Sequence, residues 1–229
     1  MTAASKTLIS REAVSLRDLV VNRLRDQILE GTLEPGQKLV ERDLCEALGV
    51  SRTVLRESLQ QLQAEGLIAH ILHRGPSVAV ITRQDAVEIY RVRSLLEGEA
   101  GRGFTLAATE DQIDQLSRCV ERLRDPSVQE DAHAQLQAKN QFYKILLEGC
   151  GNATIAALLT QLNNRITMLR RISLAHPNRI TETTNELEAI VDAVRRRAAD
   201  EVSALCSLHV ENAAAIAIAT FDTTSPEGD

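Results

Sequence analysis

The chain of 229 residues is poor in aromatic side chains, which make up 2% of it, and it contains no tryptophan. Its 4 cysteines are scattered and form no Cys-x-x-Cys pair, which argues against a zinc ribbon or a redox dithiol. No stretch approaches the roughly eighteen consecutive apolar residues of a membrane-spanning helix, and the N-terminus leads into no apolar signal segment. These absences predict a cytoplasmic protein with no membrane partner and with reduced, mostly buried cysteines.

The chain also lacks a strong excess of positive charge. Its formal net charge is -6, and the residues up to Ile81 carry equal numbers of basic and acidic side chains. Contact with nucleic acid would therefore depend on a local basic patch rather than on bulk charge. With 44% hydrophobic and 25% charged residues, the chain has enough apolar material for one large or two ordinary globular domains.

Proline and glycine are few, 5 and 11 residues, and they cluster in the first third of the chain, which is therefore expected to have short elements joined by turns. The remainder has only helical periodicity, which predicts long helices at about 83–104, 110–124, 130–149, 152–173, 183–198 and 199–220. Four helix starts carry the spacing of a capping box, in which a hydroxyl side chain and a residue three positions later cap each other's backbone N–H. They begin at Ser15, Thr82, Thr109 and Thr183.

The first third has the element order of a winged helix. Apolar positions at helical spacing predict a helix that ends at Gly31, a second helix over 41–48, and a third that Ser51 caps. Two short apolar runs, 67–72 and 77–81, follow as a β-hairpin around a turn. Three helices and a hairpin in this order predict a winged helix-turn-helix.

The third helix carries the residues that are best placed to bind DNA. Arg52 and Arg56 lie four residues apart, on the face opposite the apolar leucines, so both guanidinium groups project from the start of the helix. Ser51 and Thr53 beside them are suited to phosphate contacts. Further candidates are Arg42, at the start of the second helix, and Arg74 and Gly75, in the hairpin turn. The alternative is that these are ordinary solvated arginines.

Several motifs in this region occur together and in order. They are GTLEPGQKL at 31–39, ERDL at 41–44, LGVSRTVLRESL at 48–59 and EGLI at 65–68. Together they closely resemble the N-terminal domain of GntR-type bacterial transcription regulators, over most of residues 16–81. The resemblance implies that Arg42, Arg52, Thr53 and Arg56 contact DNA and that the wing at Gly75 reaches the minor groove. Val54 stands where many members have proline, a change that an early helix position tolerates.

The helical remainder resembles the C-terminal ligand-binding domain of FadR-type regulators, often called FCD, over about residues 85–215. The supporting segments are IYRVRSLLE at 89–97, QFY at 141–143, NELEAI at 185–190, and His209. The resemblance implies an antiparallel helical bundle that binds a small molecule and forms much of a homodimer.

Many members of that family hold a divalent metal with an Asp and three His side chains. In this chain the matching positions are Lys139, Tyr143 and Leu187, and only His209 is retained. An ammonium group repels a cation, and leucine offers no lone pair. We therefore predict no metal and no other cofactor.

An anion-binding interior remains compatible with the sequence. Lys139 and Tyr143 share a helix face, and by analogy with the family Arg93, Arg165 and His209 converge on the same interior. A cavity lined by cations would need an acidic residue, water or an anionic ligand such as an organic acid or an acyl compound. The alternative is that Lys139 extends to solvent while Tyr143 and His209 only fill the core.

The sequence thus predicts a mainly α-helical protein with a winged helix-turn-helix at 1–82, an all-helical ligand-binding and dimerisation domain at 83–222, and a loose tail at 223–229. The predicted function is a homodimeric transcription regulator, more readily a repressor, that binds a short pseudo-palindromic DNA operator and responds to a small anionic effector. One alternative is a helical domain that only dimerises. A helical-bundle enzyme is disfavoured, because the chain has no Glu-x-x-His set, no phosphate-binding glycine loop and no evident nucleophile with partners.

Overall fold

The computed structural model describes residues 15–71 and 75–224. The chain divides into two compact units, and the division falls after Ala79. The sequence places this boundary after Thr82. The first unit contains α1 (Leu16–Glu30), α2 (Glu41–Leu48), α3 (Arg52–Ala64), β1 (Ile68–Ile71) and β2 (Gly75–Val78). The second contains α4 (Arg83–Ala107), α5 (Glu110–Arg124), α6 (Pro126–Gln129), α7 (Ala132–Gly149), α8 (Ala153–Leu174), α9 (Arg179–Arg195) and α10 (Ala199–Thr224).

The first unit is a three-helix winged fold with one small sheet. Strands β1 and β2 pair antiparallel, with Ile68 opposite Val78 and Ile71 opposite Gly75. Apolar side chains from α1, α3 and β1 form its core, among them the fully buried Leu24, Leu55 and Leu62. The predicted element order and fold class are therefore confirmed, although β2 already begins at Gly75, a residue that the sequence places in the turn.

The start of α3 is fixed by local sequence. Ser51 adopts an extended conformation, and its hydroxyl accepts a hydrogen bond from the backbone N–H of Val54 at 3.3 Å. Gly49, with φ of +66°, ends α2 in the left-handed region, where an L side chain would be strained. The tight turn between the two helices therefore depends on a glycine followed by a capping serine.

The second unit contains only helices among its described residues. Its core is apolar side chains at helical spacing, with Phe104, Leu116, Phe142 and Leu146 fully buried. The capping boxes predicted at Thr82 and Thr109 are present at the starts of α4 and α5.

Three local predictions in this unit are wrong. Helix α9 begins at Arg179, after Asn178 in the left-handed region, so Thr183 lies inside the helix and caps nothing. The short helix α6 is an element that the sequence pattern does not indicate. Helix α10 continues to Thr224, two residues into the segment predicted to be a loose tail.

Helix α10 has an unusually apolar sequence. Residues 199–222 are long and apolar enough to cross a membrane by length and composition, the one such helix among the described residues. Core helices of soluble proteins share these properties, and α10 packs along α4, where Ser207 donates a hydrogen bond to the carbonyl oxygen of Ser94. This single helix is therefore a weak indication of membrane insertion.

Glycines allow α4 to pack closely against its neighbours. A Cβ added to Gly103 would overlap the backbone carbonyl oxygen of Cys150, the residue that ends α7. We expect Gly103→Ala to lower the free energy of unfolding by about 1–2 kcal/mol, because this clash outweighs the better helix propensity of alanine. Urea denaturation followed by circular dichroism measures the change.

Gly98→Ala is the matched control, on the same helix. Its added Cβ would lie 3.1 Å from the backbone carbonyl oxygen of Ser203 and would displace the Ser207 hydroxyl, which can rotate away at the cost of its hydrogen bond to Ser94. We expect a smaller loss, because no backbone atom is overlapped as closely as at Gly103. A gain of stability in Gly103→Ala would contradict the proposed clash.

Candidate DNA-binding surface and effector site

The start of α3 presents a polar surface. Ser51, Arg52, Thr53 and Arg56 are all exposed, whereas the leucines of α3 are buried. The side chains that the sequence places on one outward face therefore lie there in the structure. Two guanidinium groups, two hydroxyls and the N-terminal end of a helix supply donors suited to base edges and phosphates.

Arg56 has a partner that the sequence pattern does not reveal. Its Nε donates to both carboxylate oxygens of Glu41 at the start of α2, at 2.9 and 3.1 Å. The two residues are 15 positions apart, so only the folding of α2 against α3 brings them together. The ion pair restricts the orientation of the Arg56 guanidinium on the exposed surface.

The remaining DNA-binding candidates are less well defined. Arg42 is 80% exposed and bonds its neighbour Asp43 at 3.0 Å, so its side chain points into solvent. Gly75 has a φ of +82° and open space where a Cβ would lie, which leaves room for a close approach by another molecule. Arg74 lies outside the described residues.

The interior of the helical unit holds four buried cationic side chains. Arg93, Lys139, Arg170 and Arg179 are each at most 3% exposed. Burial of a charge is costly unless partners compensate for it. Glu97 on α4 and Glu186 on α9 are the two carboxylates that lie among them.

Glu97 is the partner of two of these arginines. Arg93 donates to it from Nε at 2.8 Å and from Nη2 at 3.4 Å. Burial alone would raise the pKa of Glu97, but the charges of Arg93 and Arg170 lower it, so the carboxylate stays ionised. Arg170 stacks over the Tyr143 ring at 4.0 Å, and burial together with the charge of Arg93 lowers its pKa to about 10.

Glu186 binds a second group of donors. Arg179 forms two parallel hydrogen bonds to it, at 2.9 and 2.8 Å, and Asn212 donates at 2.7 Å. His209 contacts the same carboxylate through Nδ1. Despite its partial burial, these bonds lower the pKa of Glu186 to about 2. Burial and the nearby Lys139 lower the pKa of His209 to about 4, so its ring is neutral at pH 7 and Nδ1–H donates to Glu186.

Lys139 has no such partner. Its Nζ is buried, makes no hydrogen bond, and has a pKa well below the usual value because of burial and the charges of Arg170 and Arg179. Other buried polar atoms of this unit also lack a hydrogen-bond partner. They are Arg93 Nη1, Arg102 Nε, Thr167 Oγ1, Arg170 Nε, Arg179 Nε, Thr183 Oγ1 and His209 Nε2. The interior therefore has more donors than acceptors.

A cavity of about 780 Å³ reaches this cluster from the side of α7 and α8. Glu97, Tyr143 and Arg170 line it, and they also belong to the charged interior. Its walls carry amides, with Asn140 accepting a hydrogen bond from Arg170 at 2.8 Å. A ligand in this cavity would meet three basic side chains, two carboxylates and several neutral hydrogen-bonding groups; the charged residues are Arg122, Lys144, Arg170, Glu97 and Glu148.

The structure brings together four of the five predicted effector residues. The Tyr143 and His209 rings lie 6.4 Å apart, and Lys139 is close enough to Arg93 and His209 for their charges to interact. Arg165 is the exception. Its guanidinium bonds Asp85 at 2.7 Å, near the start of α4. Of the five residues, Tyr143 lines the cavity, whereas Arg93, Lys139 and His209 are buried in the cluster and are not among the lining residues.

The sequence interpretation missed four residues of this site, Glu97, Arg170, Arg179 and Glu186. The spacing of Arg93 and Glu97, four residues apart on one helix, is a usable signal for an ion pair. No comparable signal marks Arg170 or Arg179, whose burial results from tertiary packing.

The side chains at the family's metal-binding positions do not fit a metal ion. Lys139 places an amine there, Leu187 is fully buried and offers no donor atom, and His209 is bonded to Glu186 through Nδ1. Among the described residues, no group of three or more His, Cys, Asp or Glu side chains could hold a metal.

A winged helix-turn-helix with exposed arginines on its third helix, joined in one chain to a helical unit with a charged cavity, defines a DNA-binding transcription regulator. Family models agree with this class: bacterial regulatory proteins of the gntR family match residues 16–78, and the FCD domain matches residues 88–212. The chain belongs to the GntR family, in its group with an FCD domain.

Named relatives are regulators, not enzymes. HTH-type transcriptional regulator YdhC of Bacillus subtilis is 27% identical over 77% of this chain and 79% of its own length. The probable D-xylose utilization operon transcriptional repressor of Paenarthrobacter nicotinovorans is 28% identical over 85% of this chain and 84% of its own. The solved structure of Escherichia coli McbR/YncC has the same fold, with a TM-score of 0.78 at 22% identity, covering 91% of this chain and all of that one.

Proposed function

We propose that this protein is a cytoplasmic, homodimeric repressor that binds a short pseudo-palindromic operator and is controlled by a small organic anion in its helical unit. The observation that carries the effector proposal is the unpaired, buried Lys139 among three buried arginines. The DNA-binding proposal rests on the exposed Arg52 and Arg56 at the start of α3.

Charge and hydrogen bonding both favour an anionic effector. Four buried basic side chains lie with two carboxylates, Glu97 and Glu186, and a third carboxylate, the exposed Glu182, reaches Arg179 at 3.5 Å. Basic groups therefore outnumber acidic ones in the interior itself. Arginine nitrogens and hydroxyls in the cluster lack acceptors, and carboxylate oxygens would supply them. Arg170 is the one of these four buried side chains that lines the cavity, so we expect it to pair with a carboxylate bound there.

A helical unit that only dimerises is the weaker proposal. Such a unit has no need of buried charges, and apolar side chains of similar volume would fill its interior at equal or lower cost. Burial of four basic side chains instead lowers the stability of the fold, and ligand binding would offset this loss; the four are Arg93, Lys139, Arg170 and Arg179.

An apolar surface on α4 and α10 supports a homodimer. Val92 and Leu95 on α4 are 41% and 69% exposed, and Leu208 on α10 is 51% exposed. They flank the contact in which Ser94 donates to Glu211. A second copy of the chain would cover these side chains, as a pseudo-palindromic operator also requires two copies.

Thermal denaturation of chelator-treated protein with a panel of small organic acids tests the effector proposal. We expect at least one acid to raise the melting temperature without added metal, because a ligand selective for the folded state stabilises it by mass action. The same acid should change the affinity for DNA fragments selected in vitro by the protein itself.

Two variants identify the site. Arg170→Met should lose the stabilisation by the acid, whereas Arg165→Met should keep it, because Arg165 bonds Asp85 outside the cavity. Stabilisation by divalent metals alone would contradict the proposal.

A further inference from the structure

Lys139 is the least expected residue of the helical interior. It is 1% exposed, so its amine does not extend to solvent, and Nζ makes no hydrogen bond. A buried lysine that serves only structure is normally paired with a carboxylate. Glu97 and Glu186 both lie in this cluster, but they accept hydrogen bonds from arginines, His209 and Asn212.

The surroundings of Lys139 favour its neutral amine. Three guanidinium groups, those of Arg93, Arg170 and Arg179, act on Nζ, and their charges together with burial lower its pKa well below 10.5. A neutral lysine amine next to other cations is the standard form of a lysine that reacts with carbonyl compounds.

The same cluster has groups that recognise a carboxylate beside a carbonyl. Arg170 and Tyr143 line the cavity, and Lys139 lies one helical turn before Tyr143 on the same face of α7. Lys139 is buried and is not part of the cavity lining, so an acid that pairs with Arg170 must extend past Tyr143 to bring its carbonyl group to the amine. Arg93 Nη1 and Thr167 Oγ1 are further buried donors without partners. This arrangement suits a small acid with a keto or aldehyde group next to its carboxylate.

We propose that Lys139 forms a reversible imine with a small 2-oxo acid, so that the effector is held covalently where many relatives use a metal. This proposal rests on the proposed effector function and names the ligand class for that site. A carbon–nitrogen double bond forms between Nζ and the carbonyl carbon of the acid. The carbon–oxygen bond breaks, and the oxygen leaves as water with the two protons of the amine.

His209 is placed to carry a proton in this exchange. Its Nδ1–H donates to Glu186, so the lone pair is on Nε2, which is buried and without a partner. Lys139 is close enough for its charge to affect the pKa of His209. The ring can therefore accept a proton from the attacking amine and return it to the leaving oxygen.

Reductive trapping tests the imine. Purified full-length protein is incubated with pyruvate or 2-oxoglutarate and sodium cyanoborohydride, and the products are digested and analysed by mass spectrometry. We expect an adduct on the peptide that contains Lys139, with the mass of the acid less one oxygen atom. The exposed Lys38, in the first unit and not among the residues that line the cavity, reports the ordinary reactivity of a lysine and should be modified to a much smaller extent.

Matched hydroxy acids separate this proposal from anion binding alone. Lactate and 2-hydroxyglutarate have the same carbon skeletons and charges but no carbonyl, so they form no adduct. Absence of a Lys139 adduct with both oxo acids, or modification no greater than that of Lys38, overturns the imine. If a hydroxy acid then still raises the melting temperature, the proposed function stands without it.

Lys139→Met provides a second test. It removes an unpaired buried amine and keeps an unbranched side chain of similar length, so the variant is expected to fold. The adduct on this peptide should disappear. If an oxo acid raises the melting temperature of this variant as much as that of the wild type, the imine is also overturned.

Discussion

Glu97→Gln is expected to lower the free energy of unfolding by about 3–5 kcal/mol, because it removes the carboxylate from a buried cluster and leaves Arg93 and Arg170 uncompensated. Arg93 forms an ion pair with Glu97 at 2.8 Å, and both side chains are at most 2% exposed. A glutamine of the same size could accept one hydrogen bond from Arg93, but it has no charge. Urea denaturation at neutral pH measures the loss.

Glu99→Gln is the control for this prediction. Glu99 is on the same helix, two positions from Glu97, but it is exposed, so the same change of charge should have little effect. The double variant Arg93→Met/Glu97→Gln should recover part of the loss, since it also removes the buried guanidinium. If Glu97→Gln unfolds at the same urea concentration as the wild type, the cluster does not depend on this carboxylate.

The winged helix could be predicted from the sequence because its determinants are local. Gly31 and Gly49 end helices in the left-handed region, and Ser51 caps α3 through its own hydroxyl. The exposed position of Arg52 and Arg56 follows from helical periodicity relative to Leu55. Glu41 could not be found in this way, because its pairing with Arg56 depends on how α2 and α3 pack.

The helical unit shows where local reasoning fails. Thr183 and Glu186 have the spacing of a capping box, but Asn178 begins α9 one turn earlier, and Glu186 instead bonds Arg179 in the interior. An arginine that is buried and one that is exposed have the same periodicity signal. Arg165 and Arg170 illustrate this, since both are on α8 and only Arg170 faces the charged cluster.

The residues that replace the family's metal ligands lie among other charged side chains in the structure. Lys139 replaces an acid with a base, and Arg170 and Arg179 add positive charge around it, so side chains supply the charge that a metal ion would bring. Glu186 remains hydrogen-bonded to His209, as a carboxylate commonly is to a metal-binding histidine. This distribution of charge supports the proposed binding of an anion in place of a metal.

Substitutions on the DNA-binding surface are expected to weaken the discrimination between DNA sequences. Replacing Arg52 or Arg56 with alanine is expected to cost about 1–3 kcal/mol of discrimination between a selected operator and a variant operator with one changed guanine, if each guanidinium bonds a guanine edge. Fluorescence anisotropy with both DNA duplexes at one salt concentration measures the difference.

Arg23→Ala provides the control, because Arg23 is an exposed arginine on α1, away from the polar start of α3. Its loss should leave discrimination unchanged. If Arg52→Ala or Arg56→Ala weakens binding equally for every DNA sequence and also reduces the dependence of affinity on salt, that arginine contacts phosphate and not a base. For Arg56 the distinction also bears on Glu41, since an ion pair that orients a guanidinium is useful for a base edge with fixed geometry and has little value for a phosphate.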